Sequence, residues 1–260
     1  MRARKSFITC AAALLSLGCA DQPGDGPGGG FALDPAGGAI FNLFLIHHPL
    51  QGVGSAAEPS DLMLSTAIEL WKNQCHIEIT HDKRPVKTLM GKNANGQSVR
   101  LGERYDDVTF NGTPIQENVD ELRNNMYIKN PQTNKGVELF YSHNIYNAGY
   151  AKDGIRLGPR FSIAKGGQTC TSSTCKYVPA HELGHQLNLP HRKDNEPEWI
   201  ANYWLMAEDG SRVGPNLHGK KTVNGQVEFE ELGRTECYVA RRFGLASQYF
   251  QQLAPTGMTP

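Results

Sequence analysis

Between His181 and His191 the chain reads His-Glu-Leu-Gly-His-Gln-Leu-Asn-Leu-Pro-His, the residue types and spacing of a metal-dependent hydrolase. On a helix, residues four apart share a face, so His181 and His185 can offer two imidazoles to one ion while Glu182 projects beside them. Two ligands make a weak site. A third nitrogen would hold zinc firmly and still leave the fourth position for water, and His191 stands six residues beyond His185.

That spacing requires a sharp turn. Pro190 has no N–H and disfavours helical geometry at Leu189, so the helix is expected to stop at about Asn188. A helix that ends abruptly usually places one residue in the left-handed conformation, where Asn is tolerated next after Gly. The chain can then reverse and return His191 to the metal. At the other end, Pro179 would cost about 3 kcal/mol inside a helix but nothing in its first turn, so the helix is expected to begin near Cys175 or Lys176.

At these residues the chain resembles the metzincin class of zinc metallopeptidases, whose pattern is HExxHxxGxxH followed by a methionine-containing turn. Asn188 stands where that pattern has Gly. Trp204-Leu205-Met206-Ala207 is the candidate turn, with Met206 expected under the histidines. The resemblance implies an α+β fold of the zincin kind: a twisted N-terminal sheet carrying helices on one side, the zinc helix, and a small C-terminal lobe that closes with a helix. It also implies one catalytic Zn²⁺ and a protein or peptide substrate. Arg160–Lys165 lies just before the zinc helix, so the resemblance makes it an edge strand on the upper rim of the cleft. Phe161, Ser162, Ile163 and Ala164 would there bind substrate backbone in extended form.

The N-terminus is not part of that fold. Residues 1–19 read as an export signal, with Arg2, Arg4 and Lys5 ahead of the apolar run Phe7–Leu17, which is too short to span a membrane. Residues 20–38 are a Gly/Pro-rich tether, and 39–260 the catalytic domain. The signal resembles that of a bacterial lipoprotein, with Cys19 open to lipid modification; cleavage after Ala20 is the other reading. The protein is therefore expected outside the cytoplasm, either lipid-anchored in the envelope or freely secreted.

Of six cysteines, Cys75, Cys170, Cys175 and Cys237 fall in the folded part. An even number in an oxidising compartment argues for two disulfides. Three connectivities are possible, and the short Cys170–Cys175 loop leading into the zinc helix favours that pair, with Cys75–Cys237 as the other. The balance of 26 basic against 26 acidic residues gives no electrostatic reason to bind nucleic acid or anionic lipid. Membrane contact is expected only through a lipid on Cys19, and the chain is expected to be a monomer.

The coarse order of elements is strand, helix, strand. Ile40–Ile46 reads as a buried strand that ends before Pro49. Ser60 is a good N-cap for a helix whose buried stripe is Leu64, Ala67, Ile68 and Trp71. Cys75–Thr80 follows as a strand. Residues 81–114 read as an insertion or hairpin, Gln116–Tyr127 as a short polar helix, and Val137–Tyr141 and Arg160–Ala164 as strands. Tyr141, His143, Tyr146 and Tyr150 are candidates for substrate contact. A last helix is expected over Gln226–Arg242, with acidic residues early, Arg241 and Arg242 late, Gly244 as its stop, and Leu232, Val239 and Phe243 inward.

Three neutral imidazoles would leave Zn²⁺ its charge, and Glu182 is placed to take a proton from water and deliver it to a leaving nitrogen. Peptide-bond hydrolysis by an endopeptidase uses every part of such a site. Two rivals stay open. Glu208 could replace His191 as third ligand, or the chain could be a tethered surface protein that binds zinc and a partner without cutting it.

Overall fold

The computed structural model describes residues 41–128, 136–148, 150–167, 174–191, 204–207, 213–215, 220–223, 226–229 and 236–246. The export signal and tether, and also Cys170, Glu208 and Leu232, lie outside the described residues.

The first half of the chain forms β1 (Phe41–Gln51), β2 (Ala56–Ala57), helix α1 (Asp61–Cys75) and β3 (Ile77–Lys83). Three short strands follow, β4 (Met90–Lys92), β5 (Ser98–Arg100) and β6 (Arg104–Asp106), then helix α2 (Gln116–Asn124). The centre holds β7 (Val137–Ser142), β8 (Asn144–Asn147), β9 (Tyr150–Lys152), β10 (Gly154–Arg156) and β11 (Phe161–Lys165). A single 3₁₀ turn at Cys175–Tyr177 leads into α3 (Val178–Gln186), and the chain closes with β12 (Lys220–Val223), β13 (Gln226–Phe229) and α4 (Glu236–Ala246).

The main sheet has the order β10-β11-β7-β1-β2, with β3 also paired to β1. Strands β3, β1, β7 and β11 are parallel, and β10 runs antiparallel to β11. Alternate side chains therefore serve two layers. Leu43, Leu45, Val137, Leu139 and Tyr141 face α1, α3 and α4, whereas Phe140, Phe161 and Ile163 pack with Tyr105, Leu122 and Ile145 on the other face. The expectation of helices on one side only is thus corrected. Helix α2 covers part of the second face because Leu122, fully buried, has apolar partners there.

β1 runs through Pro49, beyond the end expected from sequence. The Pro49 carbonyl accepts from Lys87 N, and the ladder with β3 has already ended at His47 and Lys83, so the missing N–H removes no sheet hydrogen bond. In α1, Ser60 caps as expected by accepting from Met63 N. Its buried face is Met63, Ala67, Leu70 and Trp71; Leu64 and Ile68 are half-buried flanks. Helix α2 stops at Asn124, short of Tyr127. Segment 81–114 does contain a hairpin, β4–β5.

The C-terminal expectation fails in an instructive way. Gln226–Phe229 is a strand paired with β12, and the helix begins only at Glu236 and runs past Gly244 to Ala246. Charge pattern and apolar spacing do not separate a hairpin arm from the helix that follows it. Arg241 does not sit in solvent at a helix end. It is buried and donates to the carbonyls of Cys75 and His76 at 2.9 and 2.7 Å, capping the C-terminus of α1. Helix α4 is thereby part of the common core, with Cys237 and Ala240 buried beside α1 and a disulfide from Cys237 to Cys75.

That disulfide spans 162 residues. Cross-linking so long a loop restricts the unfolded chain, so the Cys75→Ser, Cys237→Ser double variant should lose about 3–5 kcal/mol of stability. Urea unfolding checks this; an unchanged midpoint would show that α4 is held by packing alone.

Candidate metal centre

Helix α3 is short and almost wholly buried. Pro179 lies in its first turn, where its missing N–H has no intrahelical partner to lose. At the other end Leu187 N still bonds to Leu183 O at 2.9 Å, and Asn188 then takes φ 67°, the left-handed conformation required for the reversal. Leu189 N bonds back to Gly184 O at 2.9 Å. This turn brings His191 to the two helical histidines.

The three Nε2 atoms converge. His181 and His185 are 3.1 Å apart, His185 and His191 2.9 Å, and His181 and His191 3.3 Å. Four nitrogens or oxygens held tetrahedrally at ordinary zinc bond lengths stand roughly 3.3–3.4 Å from one another, so the triangle is close to one face of such a tetrahedron. Tautomers point the same way. His181 Nδ1–H donates to Leu205 O at 2.5 Å and His185 Nδ1–H to Leu189 O at 2.9 Å, which leaves both Nε2 atoms with lone pairs that face one another. Such an arrangement is repulsive unless a cation lies between them. Burial pushes the His181 imidazole down to about 3 and that of His185 down to about 4, so both are neutral and able to ligate at pH 7. His181 is buried, His185 half-buried and His191 exposed, which makes the centre open to solvent on one side.

Trp204–Ala207 forms a turn beneath α3. Leu205 supplies the carbonyl that orients His181, and Met206 is fully buried against Gly184. A Cβ at position 184 would overlap the Met206 sulfur, so glycine is what allows the approach. Trp71 packs beside Met206 against the same helix, its Nε1–H donating to Ala180 O at 3.2 Å.

Glu182 projects from α3 toward β10. It is buried, and its Oε2 has no hydrogen-bond partner. Burial, followed by the negative charge of Asp153, pushes its carboxyl up to about 8. Gly154 makes room for it, since a Cβ there would overlap the carboxyl group. An unpartnered carboxylate oxygen beside three converging imidazole nitrogens suits a cation with a polar ligand of its own.

The centre opens into a cleft of about 580 Å³ whose far wall is Ala151 to Arg156 and whose floor includes Val178, Ala207 and Val213. The expectation for Arg160–Lys165 is corrected here. β11 is not an edge: Phe161–Lys165 pairs with β7 on one side, and Ser162–Ala164 with β10 on the other. Its main-chain groups are therefore largely committed within the sheet. Edge strand β10 occupies the rim instead, a role that sequence reading missed because only three residues, Gly154–Arg156, carry it. Ser162 does serve the site indirectly: its Oγ accepts from Gln186 Nε2 at 2.6 Å, tying β11 to α3.

None of the four aromatic candidates lines the cleft. Tyr141 is buried with its hydroxyl 2.7 Å from His47 Nδ1, Tyr146 lies under Arg104, His143 stands 3.3 Å from Ser55 Oγ, and Tyr150 is exposed. Cys175 is disulfide-bonded, while Cys170, the partner expected for it, lies outside the described residues.

No protein-family model and no curated protein matches the sequence. Among solved structures, the archaemetzincin from Archaeoglobus fulgidus, complexed with malonate, aligns over 67% of this chain and 93% of its own, with 14% identity and a TM-score of 0.36. A zinc-dependent peptidase from Methanocorpusculum labreanum aligns over 68% of this chain and 96% of its own, with 12% identity and a TM-score of 0.42. At this level of likeness the chemistry has to be read from the site itself.

The buried carboxyl has a thermodynamic signature. An unfolded glutamate releases its proton near 4.5, whereas folded Glu182 keeps it to about 8, so above pH 4.5 this group favours the unfolded chain increasingly. His181 and His185, and likewise the buried His47, act oppositely, adding stability as pH rises to their unfolded value of 6.5 and nothing further beyond it. Between pH 6.5 and 8 the Glu182 effect is left alone, and the chelator-treated protein should lose about 1–2 kcal/mol there. Thermal melts of the wild type and of Glu182→Gln across that window check the assignment: the variant should show no such fall.

Proposed function

We propose that the chain is a zinc-dependent endopeptidase of the metzincin type, in which His181, His185 and His191 hold one Zn²⁺. The observation that carries this reading is the convergence of three imidazole Nε2 atoms within 3.3 Å of one another on the open side of a buried helix. When bound, zinc would supply a Lewis acid that acidifies water and polarises a carbonyl oxygen.

The chain's own residues do the rest. Glu182 accepts a proton at its carboxylate and returns it to the leaving nitrogen, and its position next to the histidine pair but outside their triangle suits a base and not a ligand. The positive charge of the ion would draw its raised pKa back toward the working range. Edge strand β10 offers free main-chain groups, so an extended peptide can add to the sheet and present its backbone across the centre. Met206 and the Leu205 carbonyl fix the floor beneath His181, the part assigned to the methionine turn. Export through the N-terminal signal, with or without a lipid on Cys19, belongs to the same proposal. A purely structural zinc is the weaker reading, because structural sites are usually closed by four protein ligands and this one faces a cleft.

Purified protein incubated with a diverse peptide mixture, with and without a zinc chelator, should yield chelator-sensitive internal cleavages by mass spectrometry. Absence of cleavage from zinc-loaded protein would overturn the enzymatic reading. Glu182→Gln should keep zinc and fold while kcat drops about 10²- to 10⁴-fold. His181→Ala should lose zinc and activity together. Metal analysis of His191→Ala decides the third ligand: full zinc occupancy would remove His191 from the set.

A further inference from the structure

We infer that Arg156 selects substrates carrying an acidic side chain on the N-terminal side of the cleaved bond. The inference rests on the peptidase reading for the word substrate, but its geometry is independent of catalysis. In the β10–β11 ladder Gly154 pairs with Ala164 and Arg156 with Ser162. Cross-strand partners share a face of the sheet. Ser162 touches Gln186 of α3 and Gly154 abuts Glu182, so that face is the one turned to the metal centre. Ile155, between them, packs against the opposite apolar layer. Arg156 therefore lies on the centre's side of the edge strand, where it lines the cleft and its charge is felt at His185.

The guanidinium is exposed, and its one hydrogen bond among the described residues, from Nε to Gly158 O, is long at 3.4 Å. Among the described residues it has no ion-pair partner, and neither does Lys152, the second cation on the cleft wall. Asp153 stands between them but is half-buried, and the cation acting on it is Lys165. Among the described residues, two cations without an ion-pair partner thus border a cleft whose carboxyl groups, Asp153 and Glu182, are both withdrawn from solvent, which sets a site for a carboxylate brought by the ligand.

Direction follows from pairing. A peptide that adds antiparallel to β10, the more stable arrangement per residue, places the residue opposite Arg156 two positions N-terminal to the one opposite Gly154. Gly154 is beside Glu182, hence beside the bond to be cut. The guanidinium's planar fork can meet a carboxylate at two points, which an ammonium cannot.

The test uses short neutral peptides carrying one glutamate, or one glutamine in its place, at successive positions. Binding is measured on zinc-loaded Glu182→Gln protein, so that hydrolysis plays no part. Glutamate should bind about 5- to 10-fold tighter than glutamine at one position, as expected for a partly solvated charge-assisted pair. The ratio should fall to near one in the added Arg156→Ala background, and Arg156→Glu should favour lysine peptides. Equal binding of the two series, a wild-type preference for lysine, or a glutamate preference that survives both Arg156 substitutions would overturn the inference. Cleavage of the same peptides by wild-type protein is scored separately. Cleavage without a glutamate preference sinks the role of Arg156 alone, whereas selective binding without any cleavage sinks the peptidase reading alone.

Discussion

Three converging imidazole nitrogens, two of them with lone pairs turned on one another, would spread apart in an isolated peptide, and much of this fold can be understood as what prevents it. Two of the rings are pinned from behind, by the Leu205 and Leu189 carbonyls, and the third is delivered by a left-handed residue at Asn188. Each of those restraints depends on another. Leu205 is held in a turn pressed against Gly184, and the helix that carries Gly184 is held by Trp71 from α1 and by Ser162 from β11. Strain of this kind persists only where surrounding packing over-determines the geometry, and a cation of the right size relieves it.

Buried polar groups elsewhere in the chain show what a purely structural solution looks like. Asn118 is fully buried and uses both ends of its amide, accepting from Lys92 N and donating to the carbonyls of Lys92 and Asp106, all at 2.8 Å. Glu138 is equally buried, and both its oxygens accept from backbone N–H groups, at Tyr127 and Ile128, with His48 as a further partner. Glu182 is the contrast: as deeply placed, yet with one oxygen unpartnered and its pKa raised to about 8. Burying a carboxyl group with one oxygen unpartnered costs stability, and groups perturbed in this way cluster at functional sites.

The local geometry of the histidine triplet was legible in eleven consecutive residues because it depends on short-range rules. Helical spacing aligns His181 with His185, Pro190 ends the helix, and Asn188 tolerates the conformation that turns the chain back. Ser60 as a cap, Pro179 in a first turn and the pairing of Cys75 with Cys237 likewise matched the structure. The sequence could not rank the faces of α1, whose apolar residues span more than one stripe; which of them were buried depended on where α3 and the sheet lay.

What only the tertiary structure decided is the identity of the groups that complete the site from a distance. Strand β10 is three residues long and has no apolar alternation to announce it, yet it forms the rim because β11, the better strand by composition, is taken up between β7 and β10. Arg241, expected only as a late basic residue of the last helix, is a buried cap on α1 because α4 docks there. Hydrophobic period and capping preference act within a few residues, so a single sequence determines them. Strand order, and the surroundings that a charge meets after folding, are set by contacts between segments far apart in the chain, which local pattern does not encode.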